Sequence, residues 1–82
     1  MDTKTIQEKV MRCVSEVLNV PVDDMKAETR LIEDLGANSF AIAEIFLALQ
    51  TEFGITLEEN FMLGRSVTIQ DMTDLMKQKQ EI

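Results

Sequence analysis

The stretch LGANSF at residues 35–40 separates an irregular segment from a strongly helical one. Gly36 permits a sharp turn, and Asn38 is a favoured residue at the N-cap of a helix. Ser39 therefore falls at the start of a predicted helix, where unpaired backbone N–H groups and the positive end of the helix dipole favour a bound or attached phosphate. Serine is also common there as a plain capping or first-turn residue, so its position alone leaves both interpretations open.

The spacing of apolar residues predicts that this helix runs from Ser39 to Phe53 and ends at Gly54, a good C-cap residue. These residues are more numerous than one buried face requires. At about 100° per residue, one set forms a core stripe that comprises Ile42, Ile45, Phe46, Leu49 and Phe53. A second set, which comprises Phe40, Ala43 and Leu47, lies roughly 150° away from that stripe and has no place in the core.

A first helix is predicted over residues 3–18, with Thr3 or Thr5 as its cap and the Val20-Pro21 pair after its end. Apolar residues recur there at steps of three and four, which is typical of one buried helix face. That face comprises Ile6, Val10, Cys13, Val14 and Val17. Cys13 lies in the middle of the stripe, so we interpret it as a buried core residue.

The remaining segments complete a small all-α fold. Residues 19–37 form a long first loop, and the apolar residues expected to hold it to the core are Val20, Val22, Met25, Leu31, Ile32 and Leu35. An extended stretch at residues 55–57 precedes one or two helical turns at residues 58–63. A last helix begins at Thr68; its apolar residues are Ile69, Met72, Leu75 and Met76, and its dipole-compatible charges are Asp71, Lys77 and Lys79. The prediction is a four-helix bundle with three main helices and one short helix.

Composition limits the classes of function. The 82 residues suffice for one domain, residues 1–82, and carry 8 Lys and Arg against 15 Asp and Glu, a formal charge of −7. Such a surface repels nucleic acid and anionic lipid and favours basic partners. No stretch approaches the roughly 20 apolar residues of a membrane span, and the start has no signal-peptide pattern. A cytoplasmic protein is expected, because a single cysteine suits a reducing compartment.

The chemical inventory argues against an enzyme. The chain has no His and one Cys, which excludes a zinc site and a Cys–His nucleophile. The acidic pairs Asp23-Asp24 and Glu58-Glu59 lack the spacing of a calcium loop, so no metal site is predicted. An unaided serine hydroxyl is a weak nucleophile, and we therefore interpret Ser39 as an acceptor that another enzyme modifies.

Beyond LGANSF, the chain continues as Ala41-Ile42-Ala43-Glu44-Ile45 and closes the helix with Glu52-Phe53-Gly54-Ile55. This order resembles the acyl carrier protein family, in which a Gly shortly precedes an Asp-Ser-Leu tripeptide and a helix ends in a Glu-Phe-Gly-like segment. The resemblance covers essentially the whole chain. It includes the length, the net acidity, the long first loop and the Val67-Thr68-Ile69 start of the last helix.

The resemblance implies a non-catalytic carrier. Ser39, flanked by Gly36, Asn38 and Phe40, would hold 4′-phosphopantetheine, which a phosphopantetheinyl transferase installs from coenzyme A. The thiol of that arm would hold acyl intermediates as thioesters and deliver them to partner enzymes in fatty-acid, lipid or polyketide-type biosynthesis. Such a carrier would act as a monomer. The family positions that contact acyl-loading and acyl-processing enzymes align with Phe40, Ala43, Glu44 and Leu47.

The chain departs from the family pattern, and two alternatives accompany the carrier interpretation. Asn38 replaces the usual Asp and Phe40 the common Leu, and several expected acids are absent from the helix, so recognition should depend more on apolar contact. One alternative keeps the arm but carries an aminoacyl or D-alanyl unit, since a Ser-Phe pair occurs among such carriers. The other is an unmodified helical interaction domain, in which Ser39 only caps the helix and Phe40 and Leu47 form a docking patch.

Overall fold

Three α-helices form most of the described chain, namely α1 (Thr3–Leu18), α2 (Ser39–Phe53) and α3 (Ile69–Gln80). A short 3-10 helix, η1 (Val22–Asp24), lies between α1 and α2. The structure is a computed structural model that describes residues 2–56 and 67–80. It confirms a small all-α bundle with three main helices. Residue 57 of the expected extended stretch and the short helix predicted at residues 58–63 lie outside the described residues.

α1 begins at a carboxylate cap. The Asp2 side chain accepts a hydrogen bond from the Thr5 N–H at 2.8 Å, and this bond lowers the pKa of Asp2. The expectation that Thr3 or Thr5 caps the helix is wrong, because both residues already lie within its first turn. Asn19 ends the helix in the left-handed conformation, with φ 57°, and its N–H donates to the Ser15 carbonyl.

The three helices share one apolar core, in which α1 packs against both α2 and α3. The predicted stripes of α2 and α3 are buried and comprise Ile42, Ile45, Phe46, Leu49, Phe53, Ile69, Met72, Leu75 and Met76. α1 buries Ile6, Val10, Cys13 and Val14. Val17 was expected in the same stripe but is only partly buried, because it lies in the last turn of the helix. No pattern indicated the buried Thr73, whose hydroxyl donates to the Ile69 carbonyl at 2.8 Å.

The long first loop is held to the core by fewer residues than predicted. Met25 and Leu31 are buried, and Val20 and Leu35 are partly buried, as expected. The expectation is wrong for Val22, which lies in η1 and is 39% exposed, and for Ile32, which lies in a turn and is 41% exposed. Ala37, which was not predicted as a core residue, is buried instead.

A short backbone bridge fastens this loop to the start of α3. Arg30 and Thr68 pair in an isolated antiparallel bridge. Three backbone hydrogen bonds join the two segments. The Leu31 N–H donates to the Val67 carbonyl at 2.8 Å, the Ile69 N–H to the Thr29 carbonyl at 3.0 Å and the Gln70 N–H to the Ala27 carbonyl at 2.8 Å. The loop therefore reaches α2 from a fixed point on the last helix.

Reciprocal hydrogen bonds cap α3. The Thr68 N–H donates to the Asp71 carboxylate at 3.0 Å, and the Asp71 N–H donates to the Thr68 hydroxyl at 3.0 Å. Lys77 and Lys79 lie in the last turn, where the helix dipole favours positive charge, as predicted. Over residues 2–56 and 67–80, none of the helices has the length and apolar character needed to cross a bilayer.

Candidate functional site

The junction between the loop and α2 is shaped by Gly36, Ala37 and Asn38. Gly36 has a φ of 75°, which lies in the left-handed region that glycine adopts without strain. The Ala37 N–H donates to the Leu31 carbonyl at 3.0 Å, and the Ala37 side chain is buried. Asn38 is the N-cap, as predicted, because its side-chain oxygen accepts the Ala41 N–H at 2.8 Å. The chain therefore enters α2 in one defined geometry.

Ser39 is the first residue of α2, and it is exposed. The Asn38 side chain and carbonyl satisfy the N–H groups of Ala41 and Ile42. Within residues 2–56 and 67–80, the N–H groups of Ser39 and Phe40 have no acceptor. The first turn of α2 holds no acidic residue, and the cap is a neutral amide. A negatively charged group on the Ser39 oxygen would meet free N–H donors and a helix dipole, with no carboxylate in that turn to repel it.

The Ser39 hydroxyl has no general base in the described part of the chain. No described residue forms a hydrogen bond with this hydroxyl, and the sequence contains no His to take its proton. The Ser39 hydroxyl is therefore exposed, and none of the described residues activates it as a nucleophile. Modification of Ser39 by another enzyme stays a prediction.

The turn that leads to this junction is held by Arg30 and Asp34, and we refer to this pair as the clasp. The Arg30 guanidinium donates to the Asp34 carboxylate at 3.1 and 3.3 Å and to Glu33 at 2.9 Å. These contacts lower the pKa of Asp34 and raise that of Arg30. No pattern in the sequence predicted the clasp. Its only signal was a spacing of four between opposite charges, which has a defined meaning in a helix but not in a loop.

The second apolar stripe of α2 faces away from the core, as predicted. We refer to Phe40, Ala43, Glu44 and Leu47 together as the outer face. All four side chains are exposed, Phe40 to 73% and Leu47 to 63%. Glu44 is the only charged residue among them. The outer face starts directly after Ser39, so a protein that handles a group on Ser39 can contact this apolar surface at the same time.

Two further features lie away from Ser39. At the far end of α2, about 20 Å along the helix, Lys9 of α1 pairs with Glu52 at 3.5 Å and lies over the Phe53 ring at 5.8 Å. This contact joins α1 to α2. Cys13 is buried, as predicted, and burial with the nearby negative charge of Glu52 raises its pKa to about 11. The thiol is therefore protonated and shielded, and it is a core residue.

Comparison with known proteins identifies similar sequences over nearly the whole chain. A family model described as "Phosphopantetheine attachment site" matches residues 8–76. The "Acyl carrier protein" of Nitratidesulfovibrio vulgaris (strain DSM 19637 / Miyazaki F) is 30% identical over 76 residues, which are 93% of this chain and 99% of that protein. The "Acyl carrier protein" of strain DP4 is 29% identical over the same shares. The matched range includes the whole of α2.

Proposed function

This chain belongs to the acyl carrier protein family of phosphopantetheine-binding proteins, and we propose on that premise that Ser39 is the residue that carries its prosthetic group. The group is a covalently attached 4′-phosphopantetheine. The observation that supports Ser39 is its place as an exposed serine at the start of α2, before two N–H groups without acceptors in the described chain. A phosphodiester on Ser39 would place its negative charge at those donors.

The other two serines offer internal controls. Ser15 lies within α1, is partly buried, and its carbonyl accepts the N–H groups of Asn19 and Val20. Its hydroxyl lies far from any helix start, so the dipole gives no support to a phosphate there. Ser66 lies outside the described residues. The structure therefore gives a reason to prefer Ser39 over Ser15 as the attachment residue. Experiment must distinguish Ser39 from Ser66.

We propose that the protein itself is non-catalytic. The arm, when attached, supplies a terminal thiol that holds an acyl chain as a thioester. The protein itself positions the arm and exposes it to partners. Asn38 and Gly36 fix the start of α2. The outer face is the surface for the modifying and acyl-processing enzymes with which carrier domains interact. Residues 1–82 would act as one monomeric carrier unit in the cytoplasm.

The outer face favours partners with apolar docking surfaces. Phe40 and Leu47 expose most of their side chains, and Glu44 is the only acid beside them. Charge steering is therefore weaker than on a strongly acidic helix, and specificity depends on shape and apolar contact. We propose a carrier of acyl intermediates in fatty-acid, lipid or polyketide-type biosynthesis. An aminoacyl or D-alanyl cargo is the second candidate; it is favoured by the exposed Phe40 directly after Ser39, because a Ser-Phe pair occurs among such carriers.

Intact mass measurement tests the attachment site. The purified apo protein is incubated with coenzyme A and a broad-specificity phosphopantetheinyl transferase, alongside Ser39→Ala, Ser15→Ala and Ser66→Ala. We expect one added arm on the wild type and on the Ser15 and Ser66 variants, and none on Ser39→Ala. Addition to Ser39→Ala would contradict the proposal. So would an unmodified wild type both in this assay and after isolation from its own host.

A further inference from the structure

The clasp closes the turn before Ser39 through both backbone and side-chain contacts. The Asp34 carboxylate accepts the Arg30 backbone N–H at 2.8 Å in addition to the guanidinium donors. In return, the Arg30 carbonyl accepts the N–H groups of Asp34 at 2.9 Å and Leu35 at 3.2 Å. A carboxylate held by a guanidinium fork has a fixed direction, which a single charge–charge contact does not impose. The two residues therefore define one conformation of the turn.

The clasp lies between a fixed part of the fold and Ser39. On one side, Arg30 pairs with Thr68 at the start of α3. On the other side, the turn continues through hydrogen bonds from the Gly36 N–H to the Ile32 carbonyl and from the Ala37 N–H to the Leu31 carbonyl, both at 3.0 Å. Asn38 and Ser39 follow directly. The conformation of the loop that leads into Ser39 therefore depends on how the turn after Arg30 is closed.

We infer that the clasp is a positioning device for the modification of Ser39, which holds the preceding loop in the form that a phosphopantetheinyl transferase binds. The inference rests on the proposed attachment at Ser39. A loop that is already ordered loses less conformational freedom on binding, so the partner binds it more tightly. The effect falls on the KM of the transferase for the apo protein, because the hydroxyl and its helix are unchanged.

Local order at the clasp can be separated from global stability. Both side chains are exposed, at 47% for Arg30 and 39% for Asp34. Exposed ion pairs contribute little to the free energy of unfolding. Loss of the clasp therefore shifts the melting temperature by only a few degrees, about 2–5 °C for a domain of this size. Hydrogen exchange of the Gly36 and Ala37 amides reports the closed turn directly.

The experiment compares Arg30→Ala, Asp34→Ala and the double variant, with Glu28→Ala as a control that removes an exposed acid from the same loop. For each apo protein, kcat and KM are measured for arm transfer from coenzyme A by a broad-specificity transferase, together with amide exchange. We expect each clasp variant to raise KM about 3- to 10-fold with kcat nearly unchanged. Exchange at Gly36 and Ala37 should rise about 10-fold. The double variant should raise KM by less than the product of the two single effects, because both substitutions remove the shared contact between the two side chains.

A conservative variant separates geometry from charge. Arg30→Lys keeps the positive charge but lacks the planar fork, so it should restore the KM only in part. Faster amide exchange with a wild-type KM would overturn the inference. A KM that rises in Arg30→Ala but not in Asp34→Ala would overturn it too, because Arg30 would then contact the transferase itself. Failure of the attachment proposal is seen separately, as arm addition to Ser39→Ala or none to the wild type.

Discussion

The two apolar sides of α2 differ in what they contact. The core stripe includes Ile45 and Phe46, which are 0% and 4% exposed, whereas Leu47 and Phe40 on the outer face are 63% and 73% exposed. Burial of apolar surface stabilises a fold by about 25 cal/mol per Å², so only the core stripe contributes substantially to folding. The outer face leaves similar side chains in water. Exposed apolar residues beyond the needs of the core are typical of contact surfaces, and this is the basis for the docking role that we propose for the outer face.

The largest expected effect comes from an aspartate placed on each side. Ile45→Asp buries an unpaired charge, so we expect it to unfold the domain, with a loss of more than about 4 kcal/mol. Leu47→Asp is only two residues away but faces solvent, so it should change the free energy of unfolding by less than about 0.5 kcal/mol. Circular dichroism and chemical denaturation of both variants check this. Equal loss of helix signal in the two would contradict the assignment of the two sides.

The two phenylalanines of α2 permit the same comparison without a change in charge. Phe46→Ala should destabilise the fold by about 3–5 kcal/mol through lost burial and a cavity. Phe40→Ala should leave stability within about 0.5 kcal/mol of the wild type. In transfer of the arm or its cargo by a partner enzyme, Phe40→Ala should instead raise KM, as measured with the folded variant. Normal KM in Phe40→Ala would remove this residue from the proposed docking surface.

Alkaline pH should destabilise the core through Cys13, a buried residue of α1. Burial raises its pKa from 9.0 to about 11, so between these values the unfolded chain loses the thiol proton while the folded chain keeps it. Stability is full below pH 9 and falls as pH rises towards 11, by at most about 1.4 kcal/mol per pH unit. Urea unfolding at several pH values measures this decline. Cys13→Ala is the matched control and should show a shallower one.

Added salt should have the smallest effect on stability, and it tests how much the outer face depends on charge. With a formal charge of −7, the folded chain repels itself, so moderate salt should raise the melting temperature by a few degrees. Transfer by a partner should respond weakly to the same salt, because the outer face has one charge, Glu44. Glu44→Gln should therefore raise KM less than Leu47→Ala does. A strong salt dependence that Glu44→Gln abolishes would show that docking is electrostatic instead.

The helices could be predicted from sequence because the regular spacing of apolar residues indicates both where a helix runs and which face it buries. The range Ser39–Phe53, the Asn38 cap and the outward position of Leu47 all follow from spacing and from residue types. The loop could not be predicted to the same depth. Val22 and Ile32 are apolar yet exposed, because a segment without a period gives no information about which side chains turn inward.

The site was predictable in part. The pattern around Ser39 indicated a modified serine, and the resemblance named the prosthetic group, which the family match supports. The attachment residue itself stays a prediction. The clasp was not predictable, because Arg30 and Asp34 meet through an irregular turn that no periodic pattern in the sequence indicates.

The bridge between Arg30 and Thr68 has a consequence for the order of events during synthesis. Residues 27–31 pair with residues 67–70, a separation that delays contact until residues 67–70 have been synthesised. A nascent chain that ends after α2 already contains Ser39, but its loop lacks the partners at residues 67–70 that fix it. On this basis, the rate of arm attachment should be low on nascent chains that lack α3 and should rise once α3 has docked.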